Sequence, residues 1–267
     1  MPEMVDITAK DVQALRKASG VGMMDAKKAL VENDGDFDKA VTWLREKGLS
    51  KAAERSDRAN TQGAVTVARI GDTAALVELN SETDFVAKSP EFLALLDTLA
   101  AAVVADGEGA IAAHQDAVDD LRITLKENIA VGRVIRFETP AGSVLHTYEH
   151  RPSGWGVNAV MVELEGGNED LAKEVALHIA FAKPQWLSRH EVPAERVAEE
   201  RQILESMTRN EGKPEAALPK IVEGRLIGFF KEHVLLDQDY VKDTKVSIGQ
   251  LLGDAKITRF AQVAIGR

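Results

Sequence analysis

The sequence predicts an α+β protein, and three features of the 267-residue chain indicate this class. The first 55 residues carry only helical periodicity. The residues after them contain two copies of a hairpin–helix–strand pattern, and a charged helical stretch interrupts the second copy. We therefore predict an N-terminal three-helix domain followed by a core of two repeated α+β subdomains with three-stranded antiparallel sheets and an inserted helical-hairpin arm.

Residues 1–55 are predicted to form three short helices. Thr8 and Asp11 have the spacing of a capping box at the start of the first helix, and apolar residues recur at helical intervals behind them. Glycines are expected to end the first helix at Gly20 and the third at Gly48. A bundle of this size is too small to be very stable alone.

Met23 and Met24 follow the glycine turn before the second helix. Flexible methionine side chains fill gaps in a core, and they also make adaptable apolar contacts with a partner. We expect one of these two side chains to be buried and the other exposed. The charged, alanine-rich residues 51–60 are predicted to be a linker or an extension of the third helix.

The rest of the chain contains an internal repeat with a period of roughly 80 residues, which is too long for a solenoid. Each copy has a predicted hairpin that ends in Val-Glu-Leu, at 77–79 and at 162–164. A helix and a returning strand follow each hairpin. We predict two related subdomains side by side, each with a three-stranded antiparallel sheet covered on one face, at 56–140 and 141–267.

The inserted stretch covers about residues 193–232 and contains two amphipathic segments. Residues 210–214, Asn-Glu-Gly-Lys-Pro, separate the two segments. We predict two antiparallel helices that project as an arm. The alternative is that the arm simply packs on the body.

The stretch Val77 to Leu99 joins the first hairpin to the long helix of the first copy. Thr83 is an N-cap residue type, and Pro90 stands at a natural first helical position, so residues 83–86 should form one short turn. Phe85 has no obvious packing partner within this turn. The residues alone slightly favour a Phe85 tucked under the next helix, because most large apolar residues are buried; outward presentation is the alternative.

Composition narrows the function classes. Residues 1–63 contain 11 basic and 11 acidic residues, so the net charge of −10 lies in the remainder. An acidic body argues against nucleic-acid binding, because that affinity comes largely from phosphate neutralisation. The chain has no cysteine, no stretch long enough for a membrane span and no basic-then-apolar leader, so we expect a cytoplasmic protein without membrane contact. A protein partner is the stronger expectation.

The sequence lacks the common catalytic motifs, including phosphate-binding loops, GxGxxG, HExxH and GxSxG. We expect no enzyme activity, no cofactor and no bound metal. His178 lies near the end of the second-copy helix without a nearby nucleophile, so packing or an interface is its expected role. Asp84 has no second carboxylate spaced with it for acid–base chemistry.

Several segments resemble a known family: LRKASGVGMMDAKKALVENDGD, ELNSETDFVAK, HIAFAKP and KIVEGRL with LLDQDYVKD. In these segments the chain resembles elongation factor Ts, the guanine-nucleotide exchange factor of bacterial translation. The resemblance extends from about Ile7 to Phe260. It implies a UBA-like N-terminal domain, a two-part core with a coiled-coil arm, and the GTPase elongation factor Tu as partner, in a 1:1 complex or a heterotetramer.

The resemblance also implies binding residues. The TDFV turn is expected to enter the GTPase beside its magnesium site and promote GDP release, which implies an outward Phe85 among Thr83, Asp84, Phe85 and Val86. Other contacts with the GTPase are expected from Arg16, Met23, Met24 and His178. Longer members add a C-terminal helical module, and the resemblance implies that its contact is missing here, where the sequence ends at Arg267.

Two other classes of function compete with an exchange factor. A scaffold could recruit a partner through the three-helix bundle without changing any rate. An enzyme is disfavoured by the lack of motifs. Acceleration of GDP release by substoichiometric protein would distinguish an exchange factor from a scaffold.

Overall fold

The computed structural model describes residues 7–19 and 21–266, without the side chains of residues 49–53. The predicted α+β class is confirmed, since three helices precede two three-stranded antiparallel sheets. The first three helices are α1 (Ala9–Ser19), α2 (Met23–Glu32) and α3 (Phe37–Ala53). Gly20, predicted to end the first helix, lies outside the described residues.

The three helices pack around a small apolar core to which each contributes, including Leu15, Leu30 and Leu44. The predicted capping box is present at the start of α1. The amide of Asp11 donates to Thr8 Oγ1 at 3.2 Å, and the amide of Thr8 donates to Asp11 Oδ2 at 3.0 Å.

The predicted end of the third helix at Gly48 is wrong, because α3 continues to Ala53. Gly48 serves close packing instead. A Cβ atom built at Gly48 would lie 2.9 Å from Cγ2 of Ile123, on a helix of the first repeat copy. The missing side chain therefore lets α3 approach that helix, and an ion pair of 2.9 Å between Arg45 and Asp116 joins the same two helices.

The first repeat copy forms a sheet with strand order β1-β2-β3. Its strands are β1 (Gln62–Ile70), β2 (Thr73–Ser81) and β3 (Ala130–Glu138). The helices between β2 and β3 are α4 (Asp84–Ala87), α5 (Pro90–Asp106) and α6 (Gln115–Leu125), with a 3₁₀ helix at Glu108–His114. Helix α5 covers one face of this sheet.

The second copy repeats this plan with strand order β4-β5-β8. Its strands are β4 (Ser143–His150), β5 (Asn158–Glu165) and β8 (Lys256–Ala264), and α7 (Glu169–Ala182) covers one face. The inserted helices are α8 (Ala194–Asn210) and α9 (Leu218–His233). Short elements then lead to β8: β6 (Asp239–Tyr240), β7 (Asp243–Ser247) and α10 (Ile248–Leu251).

The inserted helices α8 and α9 pack against each other in antiparallel directions. Arg201 of α8 forms an ion pair with Glu223 of α9, and nearer the turn Arg209 lies 3.3 Å from Glu215. Buried apolar residues lie between the helices and at their base: Leu204, Val222, Leu226, Phe229 and Phe230.

The prediction that each sheet is covered on one face was incomplete, because the two sheets also pack on each other. The inner layer takes Val65, Ala74, Leu76 and Phe137 from the first sheet and Leu145, Ala159, Met161, Ala261 and Val263 from the second. Burial of both faces explains why β2 and β5 are continuous apolar runs rather than alternating ones. One layer of side chains therefore joins the two copies.

Candidate partner-binding tip

The short turn predicted after the first hairpin is a helix of four residues, α4, which together with Thr83 is called the tip below. Thr83 is its N-cap, and Thr83 Oγ1 accepts a hydrogen bond from the amide of Val86 at 3.4 Å. A second helix, α5, begins directly afterwards at Pro90, as predicted, with Ser89 as its N-cap. The tip is thus a separate turn between a central strand and a long helix.

Phe85 points away from the protein and is 82% exposed. The opposite side of α4 faces the core beneath α5, where Ala87 is fully buried and Val86 is half-buried. The expectation from the residues alone, that Phe85 lies tucked under α5, is therefore wrong. Its outward position is the one that the family resemblance implies.

Asp84 is held by its neighbour one turn later. Lys88 Nζ lies 2.5 Å from Asp84 Oδ2, and it also lies 4.4 Å from the ring centre of Trp155. The hydrogen bond from Lys88 lowers the pKa of Asp84, so this carboxylate is ionised at neutral pH. Trp155 belongs to the turn between β4 and β5, so the second repeat copy supports the tip carried by the first.

The segment after α6 also holds the tip. The carboxylate of Glu127 accepts hydrogen bonds from the amides of Glu82 and Thr83 at 3.0 and 3.1 Å. In return, the amide of Asn128 donates to Glu82 Oε1 at 2.7 Å. Sequence reasoning missed these residues, because nothing local links positions 44 residues apart. The i,i+4 spacing of Asp84 and Lys88 was a signal that could have been found.

Comparisons with known proteins agree with this architecture. The family description "Elongation factor TS" matches residues 82–267, which include the tip. Elongation factor Ts of Clavibacter michiganensis subsp. michiganensis is 45% identical over 280 residues, covering 98% of this chain and 100% of that protein. The chain belongs to the elongation factor Ts family. The family member of Saccharopolyspora erythraea is 45% identical over 277 residues, and that of Mycolicibacterium smegmatis is 46% identical over 281 residues; each comparison covers 99% of this chain and 100% of the relative.

The elongation factor Ts resemblance pointed to three residues of the helical bundle, and all three are exposed. Arg16 lies on the surface of α1, while Met23 and Met24 open α2 and are 45% and 77% exposed. The expectation that one methionine is buried is wrong. Ala26, Ala29 and Leu30 supply the buried face of α2, and this leaves the methionine pair on the surface.

His178, the remaining residue suggested by the elongation factor Ts family, is fully buried in α7. The amide of Val241 donates to Nδ1 at 3.3 Å, so Nε2 carries the proton and donates to Gln238 Oε1 at 2.9 Å. Burial lowers the pKa of His178, which favours this neutral form. In this conformation His178 does not reach the surface for the direct contact that the resemblance implies.

The described residues contain neither a metal-ligand cluster nor a membrane-spanning helix. In that part of the chain, no three His, Asp or Glu side chains are grouped as metal ligands would be. None of the described helices combines the length and the apolar character needed to cross a membrane.

Proposed function

We propose that this protein is a guanine-nucleotide exchange factor that binds elongation factor Tu carrying GDP and promotes GDP release. Membership of the elongation factor Ts family supports this activity and this partner. One observation of the structure carries the mechanism: a large aromatic side chain, Phe85, is exposed on a short helix whose base is held by hydrogen bonds and an ion pair.

The proposed mechanism is displacement of the magnesium and phosphate site of the GTPase by the tip. Magnesium requires near-ideal octahedral ligation, so a small shift of the elements around the ion weakens both the ion and the phosphates. A GTPase that holds GDP with nanomolar affinity has about 12 kcal/mol of binding free energy to offset. Coupling between GDP and the exchange factor on the GTPase is reciprocal, so the factor must bind the empty GTPase tightly and the GDP-loaded one weakly.

Phe85 is assigned the main displacing role within the tip, and Thr83, Asp84 and Val86 are assigned supporting contacts. Asp84 is already paired with Lys88, so its negative charge is partly compensated. A carboxylate near magnesium could also support the ion instead of expelling it. Phe85 is uncharged and exposed, and its ring can act by steric displacement.

A second contact is proposed for the helical bundle. Coupling of this size needs an interface above about 1,000 Å² in total, which one helical turn cannot supply. Arg16, Met23 and Met24 are exposed and can contribute apolar area and one positive charge. His178 is left out of this proposal because it is buried.

The test is release of fluorescent GDP from elongation factor Tu with substoichiometric factor. Phe85→Ala should slow catalysed release by about one to three orders of magnitude, equivalent to about 1.4–4 kcal/mol. Its melting temperature should stay close to that of the wild type, because truncation of an exposed side chain leaves no cavity.

Phe181→Ala is the matched control, since Phe181 on α7 is 77% exposed. It should exchange GDP at the wild-type rate. An unchanged rate with Phe85→Ala would end the displacement mechanism. A wild-type protein that accelerates nothing at catalytic amounts would instead be a recruiting scaffold.

A further inference from the structure

We infer that Glu127 is a positioning residue, which holds the tip so that Phe85 faces outward in a fixed direction. The inference rests on the proposed function, because it assigns Glu127 a role in nucleotide exchange through Phe85. Glu127 lies in the loop between α6 and β3, and its half-buried side chain reaches the start of α4.

Both carboxylate oxygens of Glu127 are used at the tip. Oε2 accepts from the amides of Glu82 and Thr83, and Oε1 accepts from the hydroxyl of Thr83 at 2.5 Å. Hydrogen bonds to an ionised acceptor are about twice as strong as those between neutral groups. Glu127 thus accepts hydrogen bonds from two backbone amides just before α4 and from the hydroxyl of Thr83, the N-cap residue of α4.

Thr83 passes this restraint on to the helix that carries Phe85. Its hydroxyl donates to Glu127 and accepts from the amide of Val86, the residue after Phe85. Its carbonyl oxygen accepts from Ser81 Oγ at 2.9 Å, and Ser81 is fully buried at the end of β2. The N-cap is therefore fixed between a strand and a carboxylate.

The segment that carries Glu127 is itself firmly held. Lys126 has a left-handed backbone conformation with φ of 59°, which ends α6 and turns the chain toward the tip. Asn128, the residue after Glu127, is buried, and its Nδ2 donates to the carbonyl oxygens of Ser56 and Arg58 at 2.9 and 2.7 Å. The backbone amide of Asn128 donates to the Glu82 side chain, while the Glu127 side chain accepts from the backbone amide of Glu82.

A helix of one turn needs such restraint, because forming the first turn fixes several residues for a single hydrogen bond. Helix α4 has four residues, and Phe85 itself gains little packing in the free protein. The direction of the ring is therefore set by the anchors at the base of the helix. Glu127 is one of two anchors that act on the N-cap, the other being Ser81.

The test combines single and double variants in the fluorescent-GDP assay. Glu127→Ala should slow catalysed release by about tenfold to a hundredfold, because a misdirected Phe85 ring should lose part of the effect that Phe85→Ala removes entirely. Glu127→Gln should retain most of the rate, because its amide oxygen still accepts from the backbone and its NH₂ can donate to Thr83 Oγ1. In a Phe85→Ala background, Glu127→Ala should cost much less than it does alone.

A measurement without the partner completes the test. Hydrogen exchange of the Val86 amide should become faster in Glu127→Ala, while the core strands keep their protection. If Glu127→Ala does not fold, Glu127→Asp, whose side chain is one methylene shorter and cannot reach both the backbone amides and the Thr83 hydroxyl, should give the same two results.

The outcomes separate the inference from the proposed function. Additive effects of Glu127→Ala and Phe85→Ala, or a wild-type rate for Glu127→Ala, would overturn the positioning role while the displacement mechanism stands. A wild-type rate for Phe85→Ala would overturn both.

Discussion

His178 joins α7 to the residues on either side of β6 through two hydrogen bonds. It lies on α7, its Nε2 proton is donated to Gln238 near the base of the arm, and its Nδ1 accepts from Val241 after β6. Gln238 Nε2 in turn donates to the carbonyl oxygen of Glu232 on α9 at 2.9 Å. This chain of bonds needs a neutral imidazole, because a protonated ring could not accept from Val241.

Stability should therefore fall in mild acid through His178. Burial lowers the native pKa of His178 below its ordinary value of about 6.5, so the unfolded chain takes up the proton first as the pH falls. The contribution of neutral His178 to the free energy of unfolding is fully present above about pH 6.5 and is lost progressively below it, down to the native pKa of His178.

Melting curves between about pH 7.5 and pH 5 would show this effect. His178→Gln should be less stable at neutral pH but should lose less stability on acidification than the wild type. His190→Gln replaces an exposed histidine and should keep the pH response of the wild type. If the melting temperature falls equally steeply with pH in His178→Gln and in the wild type, His178 is not the cause of the acid sensitivity.

Residue identity alone could not give the orientation of Phe85. The general tendency of large apolar side chains to be buried pointed the wrong way, and only the family resemblance implied the outward position. The physical reason lies far away in sequence, because Glu127 and Trp155 support the tip from other elements. The residues alone left packing and an interface open for His178, and the partner that holds it in the interior, Gln238, is 60 residues away.

At the scale of elements, the contact between α3 and α6 depends on a glycine. Gly48→Ala should raise helix propensity by about 1 kcal/mol, but its Cβ would meet the branched side chain of Ile123 at 2.9 Å. We expect the clash to dominate, because the nearest atoms belong to a β-branched side chain rather than to a flexible end. Gly48→Ala should therefore loosen the helical bundle from α6.

Hydrogen exchange of α6 measures this loosening, and exchange should become faster in Gly48→Ala. Gly224→Ala is the matched control, because a Cβ built at Gly224 on α9 would meet no described atom within 4 Å apart from its chain neighbours and its own helical backbone. That substitution should stabilise the protein by up to about 1 kcal/mol and leave α6 unchanged. Protection of α6 that survives Gly48→Ala would show that Ile123 can move aside.

Elements with local signals were predictable from the sequence. The first hairpin, the capping box at Thr8 and the start of α5 at Pro90 each depend on residues within a few positions. The end of α3 was not, because the long-range contact of Gly48 outweighs its usual role as a helix end. The hairpin of β6 and β7 has strands of only two and five residues, too short for a periodic signal.

At the scale of the whole molecule, we expect the shared layer between the sheets to make the two copies unfold as one cooperative unit. Leu76 from the first sheet is fully buried in this layer, as is Met161 from the second. Leu76→Ala should lower the free energy of unfolding by about 2–5 kcal/mol. Hydrogen exchange should show that both sheets lose protection together, although the substitution lies in one of them.

Val31→Ala on α2 is a suitable control, since Val31 is exposed, and it should leave the protection of both sheets unchanged. Loss of protection confined to the first sheet in Leu76→Ala would mean that the two copies unfold independently.

The boundaries at residues 56–140 and 141–267 remain a prediction, and the repeat pattern gave no sign of the inner layer. Packing between copies cannot be read from a period.

The inner layer also bears on how such a chain could arise. A single hairpin–helix–strand unit would leave its second sheet face bare, and an apolar face of this kind must be covered by something. The simplest cover is the same face of an identical molecule, since closed symmetric pairs are the commonest protein assemblies. An ancestor with one copy would thus have been a homodimer, and gene duplication with fusion would have turned its subunit interface into the interior of one chain. The arm and the aromatic tip, each present in one copy only, would then be later asymmetries that a fused pair permits and a symmetric dimer does not.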